Sequence, residues 1–324
     1  MQQNYETLLK ASLRINWRLE DVVGDGKRLD FSRPFLPEAF ARTAPLTFLT
    51  SDEQLTLNHI RAHGYLAMFE LVEGVILPFV VEQANTKDVD VSFRTEALHQ
   101  FASEEVKHMA LFQAFRQEFV AEFGVDCGFI GPAEEISRAI LDHSPLAIAI
   151  LVLGIEWMSQ GHYVESVRND NEFDPQFKSL LRHHWMEEMQ HARMDALVLQ
   201  AMANRHDERD IDRAIDEYLE IGAFIDAGLK QQVSLDLVSF ERAACRALPD
   251  EERKQFLEVQ YQALRWTFLG SAMLNKNFLI SLAQVSRAAS QRVESAGLAI
   301  SQQQGATAAP WHSAGRDCQG RNDP

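Results

Sequence analysis

Two Glu-x-x-His motifs, each in the middle of a long helical pattern, constrain the fold of this chain more than any other feature. They lie at Glu105–His108 and at Glu188–His191. On an α-helix, a spacing of three residues separates two side chains by about 60° around the axis and by about one turn along it. A carboxylate and an imidazole can therefore hold one ion together. Two such motifs, with one glutamate from each of two further helices, predict a four-helix bundle with two metal ions in its interior.

Both motifs lie on the apolar face of their helix. Phe101, Phe112 and Phe115 recur with helical spacing around the first motif, and Leu181 and Val198 do so around the second. A single motif of this kind is more often a solvated pair on a helix surface. Burying a carboxylate or an imidazole without a partner costs roughly several kcal/mol, so a buried charge is normally paired or bound to metal. The repeated pattern therefore favours a metal site.

Each motif contains two adjacent acids, and either acid could be the ligand. Glu105 and Glu188 lie on the apolar stripe, whereas Glu104 and Glu187 lie toward its polar edge, about 60° away. We therefore predict Glu105 and Glu188 as ligands and their neighbours Glu104 and Glu187 as solvated side chains.

A third ligand follows from the symmetry of the first hairpin. Two antiparallel helices joined by a short turn place residues that are equidistant from the turn at the same height. Residues 85–90 form a polar break before Glu105, and reflection through the middle of this break leads to Glu70. Glu73 lies one turn away and is the alternative.

The second hairpin supplies a fourth glutamate. Its polar break covers residues 169–175, and reflection of Glu188 through this break leads to Glu156. Glu156 follows the apolar run 146–155, where a solvated acid is hard to explain. We therefore predict Glu156 as a ligand.

His184 extends the second motif to His-x-x-x-Glu-x-x-His. It stands four residues before Glu188 and seven before His191, so three potential ligands share an arc of about 60° over two turns. A lone histidine there, or its neighbour His183, is more often a core or surface residue. Beside six other predicted ligands, we predict His184 as a seventh.

The chain resembles the di-iron N-oxygenase family typified by para-aminobenzoate N-oxygenase, a branch of the ferritin-like carboxylate proteins. The family's ligand order is Glu, Glu-x-x-His, Glu and His-x-x-x-Glu-x-x-His, and the additional histidine is its mark. The matching residues here are Glu70, Glu105, His108, Glu156, His184, Glu188 and His191. The resemblance covers the motifs between residues 50 and 200. It implies an all-α fold, with a ferritin-like four-helix bundle core and additional helices.

The resemblance also implies a function. It indicates a non-haem di-iron monooxygenase that activates O2 to oxidise a small organic substrate, by N-oxygenation of an (aryl)amine. Mixed carboxylate and imidazole ligands suit two iron ions, with manganese possible. Electrons would come from an external donor such as a ferredoxin. The alternatives are a radical-generating or iron-storing ferritin-like protein, another di-iron hydroxylase, and a helical structural protein whose motifs are coincidental. Phe112 disfavours the radical enzymes, which commonly carry a tyrosine at that place.

Composition narrows the class further. A chain of 324 residues, 46% of them hydrophobic, is long enough for one large helical core. The formal charge of -16 argues against a nucleic-acid partner. Three single cysteines, Cys127, Cys245 and Cys318, form neither a disulfide framework nor an iron–sulfur motif. No signal pattern, membrane span or glycine-rich phosphate motif is evident, so we expect a cytoplasmic protein without nucleotide or flavin. A homodimer is one state that such a chain could adopt.

Three regions follow from the patterns. Residues 1–50 are punctuated by proline and are predicted to wrap the bundle with short strand-like or irregular pieces. Residues 51–300 are the predicted di-iron helical domain. Residues 301–324 are rich in Gln, Gly, Ala and Ser and are predicted to be disordered.

Overall fold

A computed structural model describes residues 4–24, 26–86 and 93–302 of the chain. These residues form helices joined by turns and loops, and they contain no β-strand. The predicted all-α fold is confirmed for these residues. The sequence predicts disorder for residues 301–324, and residues 303–324 lie outside the described part of the chain.

The N-terminal region contains three short helices, α1 (Tyr5–Ser12), α2 (Leu19–Val22) and α3 (Glu38–Ala41). The strand-like pieces predicted for this region are therefore wrong for its described part. α1 packs against the two bundle helices that carry the Glu-x-x-His motifs. The N-terminal region thus covers one side of the bundle.

The bundle consists of two antiparallel hairpins. The first comprises α4 (Ser51–Ala84) and α5 (Arg94–Phe123), and the second comprises α7 (Pro145–Gly161) and α8 (Pro175–Ala203), with α6 (Ala133–Leu141) in the crossover between them. α4 packs against α5, α7 against α8, and each hairpin against the other. One long crossover between two hairpins is the connectivity of ferritin-like folds.

Local sequence signals set where the bundle helices begin. Thr50 and Glu53 form a capping box at the start of α4, in which the Glu53 amide donates to Thr50 Oγ1 at 3.3 Å and the Thr50 amide donates to Glu53 Oε2 at 2.8 Å. α8 begins with Pro175 after Asp174, whose side chain accepts a hydrogen bond from the Phe177 amide.

α4 is long and apolar enough to cross a membrane, with a mean hydropathy of 1.7 over 18 residues. In the structure, however, 67% of that window is buried inside the protein. The helix packs along α5. Its apolar composition is therefore that of a core helix.

The C-terminal part adds an outer layer of helices against the bundle. They are α9 (Glu208–Ala243), α10 (Asp250–Arg265), α11 (Ser271–Met273), α12 (Lys276–Val285) and α13 (Arg287–Gln302). Leu274–Asn275 separates α11 from α12, and Ser286 separates α12 from α13; the Asn275 side chain caps the start of α12. π-helical turns extend α7 over His162–Val167 and join α10 to α11 over Trp266–Gly270.

Candidate metal centre

All four bundle helices contribute acids or imidazoles to one cluster in the bundle interior. α4 and α7 give one carboxylate each, and the two motif helices give the rest. Every member is at most 4% exposed: Glu73, Glu105, His108, Glu156, His184, Glu188 and His191.

Glu188 lies at the centre of the cluster. Its Oε1 atom is 3.2 Å from His184 Nε2. The same atom is 3.3 Å from Nδ1 of both His108 and His191. Three imidazole nitrogens from two helices therefore converge on one carboxylate oxygen.

The donor atoms form two overlapping sets, and within each set all atoms lie within 4.8 Å of one another. One set comprises Glu73, His108, His184 and Glu188, and the other comprises Glu105, His108, Glu188 and His191. Each set could hold one metal ion, and together they could form a di-metal site.

Many of the inward-facing atoms in this cluster have no hydrogen-bond partner within the described chain. They are Glu73 Oε2, Glu105 Oε1, both oxygens of Glu156, His184 Nε2, Glu188 Oε1 and His191 Nδ1. Buried polar atoms are normally hydrogen-bonded, and each unpaired one costs stability. Convergent lone pairs without hydrogens between them fit a metal ion, which would satisfy all of them at once.

The structure does not bring Glu70 into the cluster. The Glu70 side chain is 27% exposed and accepts a hydrogen bond from Arg116. Glu73 lies inside instead, with Oε1 at 3.4 Å from His184 Nε2. The alternative glutamate therefore replaces the first choice. α4 ends at Ala84 and α5 begins at Arg94, so the middle of the hairpin lies one to two residues later than the polar break suggested, and reflection of Glu105 through it leads to Glu73.

Glu104 and Glu187 were predicted to be solvated, and this prediction is wrong, because both are at most 2% exposed. Glu104 Oε2 accepts a hydrogen bond from His191 Nε2 at 2.8 Å. Glu187 Oε2 accepts one from His108 Nε2 at 3.0 Å. The acid beside each motif thus holds the histidine of the other motif. These bonds fix the imidazole tautomer and leave Nδ1 facing the interior.

Side chains around the centre hold these two acids in place. Ser12 Oγ, at the end of α1, donates to Glu104 at 2.6 Å. Lys107 donates to Glu187, and its ammonium lies 4.1 Å from the ring centroid of Trp17. The N-terminal residues Ser12 and Trp17 carry no spacing signal, so the sequence patterns did not identify them.

One position distinguishes the two motif helices. Four residues before Glu105 stands Phe101, whose ring stacks on His191 with centroids 3.8 Å apart. The corresponding residue of α8 is His184, whose ring meets His108 edge-on with centroids 4.6 Å apart. The imidazole at this place supplies a nitrogen that the phenyl ring cannot.

Burial and mutual charge control the protonation of the cluster. Burial raises the pKa of Glu73 and Glu156 well above the usual range, and the neighbouring carboxylates raise it further. Burial opposes the charge of Glu105 and Glu188, but hydrogen bonds and imidazole charges outweigh it and lower the pKa of both. Burial also opposes the charge of His108, but Glu105 and other acids raise its pKa to about 9. Without metal, bound protons therefore offset the negative charge.

No family model matches the sequence, and no curated protein matches it. A variant of an R2-like ligand-binding oxidase with an anaerobically reconstituted Mn/Fe cofactor matches with TM-score 0.47 and 15% identity, over 88% of this chain and 95% of that chain. A variant of that oxidase with an aerobically reconstituted Mn/Fe cofactor matches with TM-score 0.46 and 15% identity, over 88% of this chain and 94% of that chain. Dimanganese(II)-NrdF of Streptococcus sanguinis matches with TM-score 0.44 and 11% identity, over 91% of this chain and 97% of that chain. Likenesses this remote say nothing about the activity of this chain. The resemblance to para-aminobenzoate N-oxygenase stays a hypothesis.

Proposed function

We propose that the chain is a di-metal oxidoreductase that activates O2. The convergence of four carboxylates and three imidazoles in the bundle interior, with many of their atoms unpaired, is the observation that supports this proposal. The proposed ligands are Glu73, Glu105, His108, Glu156, His184, Glu188 and His191. Mixed oxygen and imidazole donors suit iron or manganese, whereas a structural zinc site is usually a closed set of four ligands.

A pair of such ions, when bound, supplies the electrons and the Lewis acidity for reduction of O2. The protein's own side chains orient the donors and exclude water. Glu104 and Glu187 fix the two motif histidines from outside. The rings of Phe112 and Phe69 lie 5.0 and 5.4 Å from the ring of His184 and shield it. Reducing equivalents must come from outside, and we propose a ferredoxin or a similar soluble donor.

The finer proposal is monooxygenation of a small substrate, with N-oxygenation of an (aryl)amine as the reaction. Its support is His184, which lies inside the cluster at the place that marks the N-oxygenase branch. Phe112, fully buried beside His184, argues against the radical-generating alternative, since a phenyl ring has no hydroxyl to oxidise. A cytoplasmic location and a homodimer belong to the same proposal.

Metal analysis of the purified protein tests the centre. We expect two iron or manganese ions per chain, and rapid O2 consumption with an optical change after chemical reduction. A Glu105→Gln, Glu188→Gln double variant is the matched control and should bind neither ion. If the wild-type protein holds only trace amounts of metal after incubation with ferrous iron, the proposal is overturned. Product analysis with arylamines then tests the finer step, because O2 consumption without N-oxidised product would leave only the coarser function.

A further inference from the structure

A second feature lies behind the metal centre, between the bundle and the outer helices. It is a narrow, partly open cavity of about 80 Å³. Side chains from α4, α6, α7, α9 and α11, from the loop before α6 and from the π-turn before α11 line it.

The cavity lies at the height of the metal centre. Val72, in its wall, immediately precedes Glu73, and Ile155 immediately precedes Glu156. Phe268 also lines the cavity, and its ring centroid is 6.4 Å from that of Phe69. The Phe69 ring is in turn 5.4 Å from the ring of His184. A single aromatic ring thus stands between the cavity wall and a proposed ligand.

The walls contain no charged side chain, and Tyr218 is the one lining residue with a hydroxyl, amide or charged group. Tyr218 is 4% exposed, and burial raises its pKa well above the usual range. Its hydroxyl makes no hydrogen bond within the part of the chain that the structure describes. Because this hydroxyl has no partner among the apolar walls, a polar ligand atom in the cavity could form a hydrogen bond with it.

Two glycines in α9 line the cavity. Gly222 and Gly228 are interior helical residues, where glycine is less favourable than alanine. A Cβ atom at Gly222 would lie 3.2 Å from the terminal methyl of Met273, and one at Gly228 would lie 3.3 Å from Ile130 Cδ1. The glycines therefore allow α9 to approach these wall side chains closely, at some cost to helix stability.

We propose that this cavity binds the substrate, and that the substrate is an uncharged, mainly hydrocarbon molecule with one hydrogen-bonding group that pairs with the Tyr218 hydroxyl. An amine nitrogen or a hydroxyl meets this description. Its role as the substrate site rests on the proposed function. A carboxylated amine such as para-aminobenzoate does not fit, because its carboxylate would face apolar walls without a cation.

Calorimetric titration of the full-length protein as purified, without reductant, separates binding from turnover. We expect 4-ethylaniline to bind at least about a hundredfold more tightly than 4-aminobenzoate, because burying an unpaired carboxylate costs several kcal/mol. Equal affinities for the two compounds in the wild-type protein would overturn the proposal without any variant.

Two substitutions then locate the bound molecule. Tyr218→Phe should weaken 4-ethylaniline about tenfold and leave ethylbenzene unchanged, since only the hydrogen bond is lost. Ile225→Trp, at a half-buried lining position, should abolish binding of both compounds. Val238 lies on the same helix and is 42% exposed, so Val238→Trp is the matched control and should bind like wild type. Wild-type affinity in folded Ile225→Trp protein would overturn the proposal.

The metal content of the same sample distinguishes the two proposals. If 4-ethylaniline binds but the protein holds no iron or manganese and is inert to O2, the cavity is confirmed as a binding site and the proposed function fails. If two ions are present and O2 is consumed while the compound does not bind, the cavity proposal fails alone.

Discussion

Nε2 of His191 in α8 lies 2.8 Å from Oε2 of Glu104 in α5, and both side chains are buried. His108 and Glu187 form the reciprocal bond in the opposite direction. Each motif therefore depends on the other for the orientation of its histidine. The two hairpins are joined by hydrogen bonds to the same side chains that we propose as metal ligands.

We predict that Glu104→Gln weakens metal binding by about 10- to 100-fold, because the amide cannot hold the His191 tautomer or support its basicity as a carboxylate does. Equilibrium titration with ferrous iron measures the change. Glu96→Gln, at an exposed position of the same helix, is the control and should bind like wild type. Unchanged affinity in Glu104→Gln would show that this bond is only structural.

Glu73→Gln and Glu70→Gln form a matched pair on α4. We expect Glu73→Gln to lower the metal content, because it removes a charged oxygen from the cluster around His184. Glu70→Gln should retain both ions and lose at most about 1 kcal/mol of stability, as a partly exposed ion pair contributes little. Metal analysis and chemical denaturation check both, and the opposite order of metal loss would return Glu70 to the ligand set.

These results show where the sequence patterns were sufficient. The positions of Glu105, His108, Glu188 and His191 followed from helical periodicity alone, which is a local property. The choice between Glu70 and Glu73 depended on where α4 ends and where α5 begins. The polar break at residues 85–90 marked these positions only to within a few residues. Sequence patterns locate helix boundaries with about that precision.

The burial of Glu104 and Glu187 could not be predicted for a different reason. A helical wheel shows which side of a helix is apolar, but it does not show what covers the edge of that side. Ser12 in α1 and Lys107 cover the two acids, and Ser12 is distant in sequence from Glu104. Such tertiary contacts leave no periodic signal. The apolar cavity could not be predicted either, because its walls come from several segments that are distant in sequence.

His184→Ala should leave two ions bound, because the other six proposed ligands remain. We expect weaker binding of one ion and a lower yield of oxidised product per O2 consumed, since a neutral nitrogen donor is lost and water can enter. His183→Ala, at the neighbouring half-buried position, should have neither effect. If His184→Ala behaves like wild type in metal titration and product yield, His184 is a core histidine and the N-oxygenase resemblance loses its main support.

Removal of metal should lower the melting temperature. Binding to the folded state alone stabilises a protein by about 4 kcal/mol when the ligand is at 1,000 times its Kd, which corresponds to roughly 6 °C for a chain of this size. Differential scanning calorimetry with and without ferrous iron measures the shift. The Glu105→Gln, Glu188→Gln double variant should show no shift, and equal melting temperatures for wild type would contradict the prediction.

Stability should also fall in acid through His63. This side chain is 3% exposed, and burial, helped by the charge of Arg116, lowers its pKa to about 4 from an ordinary value of 6.5. Between these two pH values the unfolded chain binds more protons, so the free energy of unfolding decreases as pH falls from 6.5 to 4, by up to about 3 kcal/mol. Below pH 4 and above pH 6.5 this contribution is constant.

Urea denaturation at several pH values tests the role of His63. His63→Gln should lose less stability than wild type between pH 6.5 and 4, while the two stability curves run parallel above about pH 7.5. Identical slopes in the acid range would show that other groups account for the acid sensitivity.

The pairing of Phe101 in one motif helix with His184 in the other has an electronic consequence. Two ions held by these residues would not be equivalent, because His184 would add a nitrogen donor to one ligand set only, whereas Phe101 at the matching place has no donor atom. Their reduction potentials should differ, so a single electron would settle on the same ion in every molecule. Protein loaded with ⁵⁷Fe would then give two separate Mössbauer doublets of equal area, and its half-reduced form would have its valences localised.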